Sequence, residues 1–331
     1  MPTTTMPTDW KRLHDGALAG RRVCVTGGCG FIGSHVAEAL VALGADVTIL
    51  DDLSEGDPNN APSSARLVRG SILDREVLRD AFAGAELVFH LAALVSVPRS
   101  VEEPRRFHDV NATGTVNVLE SAQRAGVRRV IYSASSSAYG ESPEMPKTEN
   151  ITQQPLSPYA ASKSAGEMYV RAFASCYPTD AVALRYFNIF GPRQKADSAY
   201  AGVVAAFARM LLGGQPPTIF GDGSASRDFT FVHNAVHANL LAARRDEPFR
   251  GEVINVATGQ RLTVLQLATT MARVLGRDDL APRFAPPRPG DVLHSQADLT
   301  RARALLGYQP VVSFEDGLRR TLDWYRQTLP A

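Results

Sequence analysis

Between residues 22 and 186 the chain alternates short β-branched runs with stretches of helical periodicity, and this alternation limits the possible folds more than any other feature. The runs are Val23–Thr26, Val47–Asp51, Leu67–Val68, Leu87–His90, Val130–Ser133 and Val182–Tyr186. Ser34–Leu43, Arg75–Phe82, Val110–Ala125 and Tyr159–Tyr177 separate most of them, with apolar residues at helical spacing. Parallel strands cannot be joined by hairpins, so strands alternating with helices predict βαβ units and a parallel sheet covered on both faces. After residue 187 the pattern breaks up. Gly191-Pro192, Gly213-Gly214, Pro216-Pro217, Gly221, Gly223 and the Pro286, Pro287, Pro289 cluster point to a smaller lobe of short helices, loops and a few strands. That lobe is expected to return to the sheet near Asp228–Leu241 and Val253–Asn255.

Charge and cysteine usage narrow the class. With 35 basic and 34 acidic side chains the net charge is +1, which gives no reason to expect nucleic acid or an anionic membrane as partner. The three cysteines, Cys24, Cys29 and Cys176, show no metal-type spacing and suit a reducing, cytoplasmic setting. Met1 to Gly20 lacks an apolar signal-peptide core, and no run of about 18 apolar residues predicts a membrane span.

The first strand ends in Thr26-Gly27-Gly28-Cys29-Gly30-Phe31-Ile32-Gly33 and a helical run follows. Gly28, Gly30 and Gly33 fit G-x-G-x-x-G, while Gly27, Gly30 and Gly33 fit the variant with one more residue between the first two glycines. Either way, glycines there allow a tight turn, close approach to a pyrophosphate, and helix–strand packing, with the phosphates on the helix N-terminus. The second strand ends at Asp51, 18 residues after Gly33, where a carboxylate bonds the adenosine ribose and disfavours a 2′-phosphate. NAD is therefore expected over NADP. The fold prediction is α/β, a Rossmann-type doubly wound parallel sheet with a smaller C-terminal α/β substrate lobe. Its expected parts are an N-terminal arm (1–20), an NAD-binding domain (21–186, with returns near 228–257) and a substrate lobe (187–227 and 258–331).

Tyr159 and Lys163 stand four apart in a helical stretch and so share a face. A free phenol is a poor base at neutral pH, but a neighbouring ammonium stabilises the phenolate. Ser133-Ala134-Ser135-Ser136-Ser137, just past a strand, can supply a hydroxyl that bridges substrate and phenol. Such a tyrosine can take a proton from a sugar hydroxyl while hydride leaves the same carbon.

Together these features resemble the extended short-chain dehydrogenase/reductase family, and within it the nucleotide-sugar epimerases. The likeness runs over residues 21–325. It includes the Gly27–Gly33 loop, Asp51-Asp52-Leu53-Ser54, His90-Leu91-Ala92-Ala93, Asn111 with Gly114-Thr115, and the serine run ending Ala138-Tyr139-Gly140. Pro158-Tyr159-x-x-x-Lys163, Arg185-Tyr186-Phe187-Asn188 to Gln194, Gly221-Asp222-Gly223, Arg227-Asp228-Phe229 and Arg288-Pro289-Gly290-Asp291 complete it. The resemblance implies Ser135, Ser136, Tyr159 and Lys163 as catalytic residues. It implies cofactor contacts from Gly27, Gly30, Phe31, Ile32, Asp51, Asp52, Ser71, Ile72, Leu91, Ala92, Ala93, Ser133, Tyr159, Lys163 and Tyr186. Substrate contacts would come from Ser96, Ser137, Tyr159, Asn188, Tyr200, Arg227, Arg288, Asp291 and Ser295. Ser71-Ile72 departs from the Asp-Ile that many relatives carry near adenine.

Among such enzymes the resemblance selects 4-epimerisation of a UDP-sugar. Ser136-Ser137 stand where the 4,6-dehydratases carry Asp-Glu, and the glutamate of the decarboxylases is missing too. Ser295 stands at a position where a tyrosine would crowd the C2 substituent, so UDP-GlcNAc/UDP-GalNAc is expected, with UDP-glucose also possible. A UDP-glucuronate 4-epimerase or an oxidoreductase that releases NADH is the alternative. A dinucleotide sensor without chemistry would be expected to lose the Ser, Tyr or Lys, and all three are intact. The family also implies a homodimer through the helices near Val110–Ala125 and Tyr159–Tyr177. His90 reads as a packed histidine. His233 and His237 have a metal-like spacing but no third ligand nearby in sequence, so no metal is expected.

Overall fold

The computed structural model describes residues 8–196, 202–287 and 293–329. Seven parallel strands form its main sheet. Six are β1 (Arg22–Thr26), β2 (Asp46–Asp51), β3 (Arg66–Arg69), β4 (Leu87–His90), β5 (Arg129–Ser135) and β6 (Asp180–Tyr186). Arg250–Val256 pairs with β6 as an edge strand, giving the order Arg250–Val256, β6, β5, β4, β1, β2, β3. The order reverses between β1 and β4, and a crevice opens there at the carboxyl ends of the strands.

Period-2 alternation decides which residues face which layer. In β1, Val23 and Val25 face one side with α2 (Phe31–Ala42) and α9 (Val232–Arg244), while Cys24 faces the other with α3 (Arg75–Ala81), α6 (Gly114–Arg124) and α7 (Pro158–Cys176). Leu40 of α2 is fully buried. Truncating it to Ala would cost about 2–5 kcal/mol. A second core gathers α8 (Val203–Leu212), α10 (Val264–Leu275) and α12 (Phe314–Thr328) around Phe190, Ile219, Phe229 and Phe231.

Asp228–Leu241 comes back against the sheet mainly as a covering helix. Apart from Thr230–Phe231, which pairs with Ile189–Phe190, it is the start of α9, whose apolar face covers the sheet. The helical stretch Val110–Ala125 is present but not regular throughout, because a π turn at Asp109–Thr113 precedes α6. That turn lets Asn111 face inward, where its side chain bonds the Leu94 backbone and Ser162. The arm contains a short helix, α1 (Trp10–His14), capped by Asp9. Its His14 Nε2 lies 3.0 Å from His237 Nδ1, and Thr8 Oγ1 lies 2.7 Å from His233 Nδ1. The paired histidines thus meet the arm, and among the described residues no group of three or more His, Cys, Asp or Glu is placed to hold a metal. No helix among the described residues is long and apolar enough to cross a membrane.

Candidate active site

The crevice at the strand reversal is a cleft of about 1490 Å³. Its floor is the glycine turn. Gly27 has φ +72°, and a Cβ there would stand 2.6 Å from the Ala92 nitrogen. At Gly33 a Cβ would stand 2.0 Å from the Gly27 carbonyl oxygen. Only glycines allow β1, α2 and the exit of β4 to meet so closely. Gly30 is the N-cap of α2 and has no side chain to occupy the helix's first donors. The N–H groups of Phe31 and Ile32 have no carbonyl in their own helix, and both residues line the cleft. With the positive end of α2 they form a seat for a pyrophosphate.

Asp51 holds the turn and faces the cleft. Its Oδ2 accepts the Cys29 N–H and its Oδ1 the Leu53 N–H, both at 2.9 Å. Each oxygen keeps a lone pair for a ribose hydroxyl, so the turn-forming and ligand-facing roles coexist. Burial pushes its carboxyl pKa up. Asp52 accepts from the Ser54 N–H and hydroxyl, and Ser71 accepts the Leu73 N–H; both line the cleft, as do Ile72, Leu91, Ala92, Ala93 and Ser96. The Ser96 hydroxyl also caps α4 (Val97–Glu102). Donor accounting fixes the tautomer of His90. Thr115 Oγ1 donates to Asn111 O, so it accepts from His90 Nε2, and Nδ1 accepts from the Thr26 hydroxyl. Burial lowers the imidazole pKa to about 3, so His90 is a neutral brace for the β4 exit. Across the mouth, Glu55 of the loop after β2 pairs with Arg99 of α4 at 2.6 Å and lies 3.9 Å from Lys195.

The catalytic end is assembled by β5 and α7. Ser157 caps α7 and Pro158 takes its first position, which places Tyr159 and Lys163 one turn apart on the cleft side. Burial raises the Tyr159 phenol pKa, and a hydrogen bond with Ser135 opposes the rise. Ser137 donates to Ser135 Oγ from both its N–H (3.2 Å) and its hydroxyl (2.9 Å). Ser136 lines the cleft on the same turn. The Lys163 Nζ lies 4.3 Å over the Tyr132 ring, and burial lowers its pKa to about 7 against the opposing charge of Glu167. Tyr186 is hydrogen-bonded to Ser133 and accepts from Asn239 at 2.6 Å.

Glu167 escaped the sequence reading. It sits four residues after Lys163, a spacing that could have marked it, and is held by a forked ion pair with Arg185, itself stacked 4.6 Å over the Tyr139 ring. The other end of the cleft is built from loops. Asn188, at φ +38°, donates to the Asp228 carbonyl, and Arg227 donates to the Ser226 and Leu293 carbonyls. Ser295 donates its N–H to Ser226 O, and His294 Nδ1 meets Ser226 Oγ at 2.9 Å. Asp228, also missed, is fully buried and gathers this region, accepting from Thr258, Gly259 and Ala297. Tyr200, Arg288 and Asp291 lie outside the described residues.

A polarised phenol, a hydroxyl relay and an ammonium therefore face one wall of a cleft whose floor suits a dinucleotide. Comparisons with known proteins agree. The family described as "NAD dependent epimerase/dehydratase family" matches residues 23–257. A UDP-glucose 4-epimerase of Mycolicibacterium smegmatis is 40% identical over 312 residues, covering 92% of this chain and 98% of the relative. Among solved structures, a UDP-N-acetylglucosamine 4-epimerase of Methanobrevibacter ruminantium in complex with UDP-N-acetylmuramic acid superposes with TM-score 0.89 at 39% identity, covering 94% of this chain and 100% of that one. The UDP-glucose 4-epimerase of Thermotoga maritima with UDP-glucose gives TM-score 0.89 at 41% identity, covering 93% and 100%. The glycine turn, the uncapped start of α2 and Asp51 fit the family's cofactor, NAD. The chain belongs to the NAD-dependent epimerase/dehydratase family.

Proposed function

We propose that this chain, an NAD-dependent UDP-sugar 4-epimerase, works on UDP-GlcNAc and UDP-GalNAc and also accepts UDP-glucose and UDP-galactose. The observation that carries the reading is the Ser135–Tyr159–Lys163 group on the wall of the dinucleotide cleft. In this reading NAD, held by the Gly27–Gly33 turn, the start of α2 and Asp51, would supply reversible hydride-acceptor chemistry at C4 of the sugar. Tyr159 takes the C4 hydroxyl proton and gives it back. Ser135, oriented by Ser137, holds that hydroxyl, and Ser136 stands beside it. Lys163 stabilises the phenolate; with its own pKa lowered to about 7, it responds to any added negative charge on Tyr159 by gaining a proton.

The residues following Ser135 support epimerisation over elimination. Ser136 and Ser137 occupy the turn after Ser135 where an acid would be needed for elimination, and Glu167, one turn beyond Lys163, is tied to Arg185. Arg227 and Asn188, with Arg288, would hold the diphosphate, Asp291 the uridine ribose, and Ser96, Tyr200 and Ser295 the sugar. The small Ser295 leaves room for an N-acetyl group at C2. Exposed Met168, Tyr169 and Tyr177 on and beside α7 support a homodimer formed through α6 and α7. The three free thiols fit a cytoplasmic setting.

The test is an NMR assay with UDP-GlcNAc, and UDP-glucose in parallel, without added NAD. Appearance of the galacto epimer is expected. No conversion of either sugar, even with NAD supplied, would overturn the reading.

A further inference from the structure

Most cations lining the cleft are exposed or already engaged. Arg99 and Lys195 face Glu55, Arg106 pairs with Glu103, Arg193 pairs with Glu38, Arg227 donates to the Ser226 and Leu293 carbonyls, Arg105 is exposed, and Lys163 belongs to the Tyr159 machinery. Lys147 is different. It lines the same cleft as Ser137, Tyr139, Gly140, His294 and Ser295, and is 2% exposed. Its Nζ donates to the Ser142 carbonyl, and among the described residues it enters no ion pair. One acceptor leaves an ammonium two further donors.

Its placement is rigid. The Lys147 N–H donates to Gln296 O at 2.7 Å, and its carbonyl accepts from Asp298 N and Asn255 Nδ2, both at 2.9 Å. The segment carrying Lys147 is thus stitched to the one carrying His294 and Ser295, and to the edge strand behind it. Burial pushes the Lys147 pKa down, and the exposed Glu144 only partly opposes this. A buried cation with only an exposed carboxylate to offset it is unfavourable unless a ligand supplies a closer charge.

We propose that Lys147 is a specificity residue for an acidic sugar, so that the substrate range extends to UDP-hexoses oxidised to a carboxylate at C6. C6 is the ring substituent that can become a carboxylate without opening the sugar. This inference rests on the UDP-sugar reading above. The carboxylate would take the two spare donors of Lys147, forming charge-assisted hydrogen bonds.

UDP-glucuronic acid and UDP-glucose differ only at C6 and make the decisive pair. Calorimetric affinity and NMR turnover are measured for both with the full-length wild type, Lys147→Met and Lys147→Arg. Lys147→Met is expected to shift the acid-over-neutral affinity ratio about ten- to a hundredfold toward the neutral sugar, and Lys147→Arg to keep most of it. An unchanged ratio in Lys147→Met overturns the inference. If Lys147→Met does not fold, Lys147→Gln gives the same readout. A shifted ratio without epimerisation of either sugar keeps the recognition role and removes the epimerase reading. Epimerisation of UDP-glucose with an unshifted ratio does the reverse.

Discussion

The two ends of the cleft are made of different material. At the cofactor end the ligand-facing groups are main-chain N–H donors, a glycine turn and one carboxylate, all fixed by β1, β2 and α2. At the other end, proposed to hold the sugar, they are side chains on loops and short strands: Asn188, Arg227, Lys147, His294 and Ser295. A main-chain seat recognises what is common to every dinucleotide, whereas a side-chain seat can change with each sugar. The first should therefore tolerate few substitutions and govern loading, and the second many, governing choice.

Predictions follow this contrast in order of size. Tyr159→Phe, at the junction of the two ends, should lower kcat by about 10²–10⁴-fold while bound NAD, read from absorbance of the denatured protein, stays near one per chain. Loss of NAD together with activity would show that the ends are not separable. Gly33→Ala places a Cβ against the Gly27 carbonyl and should cost about 3 kcal/mol. NAD should be lost, and the Tm should fall by roughly 6–12 °C in a thermal melt. An unaltered melt and NAD content would refute the main-chain account of the seat. Ser295→Tyr should reduce kcat/KM for UDP-GlcNAc by about 10–200-fold relative to UDP-glucose, with NAD content unchanged. Equal losses on both sugars would deny Ser295 a part in choice.

The smallest effect lies outside the cleft. Burial lowers the pKa of His14 and His233 to about 3, and of His35 and His237 to about 4, from an ordinary 6.5. The unfolded chain binds more protons between those values, so stability is full above pH 6.5 and declines as pH falls toward 4. The Tm should drop by several degrees between pH 7 and pH 5. His14→Phe should flatten the slope, and an unaltered slope would place the effect elsewhere.

The same contrast explains what was legible in the sequence. Period-2 runs and glycine spacing report main-chain geometry, so strands β1 to β6, the turn and Asp51 could be read directly. Tyr159 and Lys163 were visible because one helix carries both. Glu167 was one turn further along but hidden by its pairing with Arg185, which is distant in sequence. Lys147 and Asp228 act through partners such as Gln296 and Ala297, which no local pattern connects to them. Whether Asp228–Leu241 returns as helix or strand was not legible, because an apolar run buried against a sheet looks the same as either until its length is weighed.

The arm's docking also bears on how the molecule is assembled. Thr8 bonds His233 and Arg320, 225 and 312 positions away. Neither partner is in place until α9 and α12 have packed, so the first described residue of the chain should be among the last to be secured. Contacts of such long range raise the loop-closure cost and slow folding. In pulse-labelled hydrogen exchange we expect the amides of Leu13 and Asp15 to gain protection after those of β1 and β4. Simultaneous protection would mean that the arm docks on a partly formed sheet. Protection in the arm would then report whether the last packing step is complete.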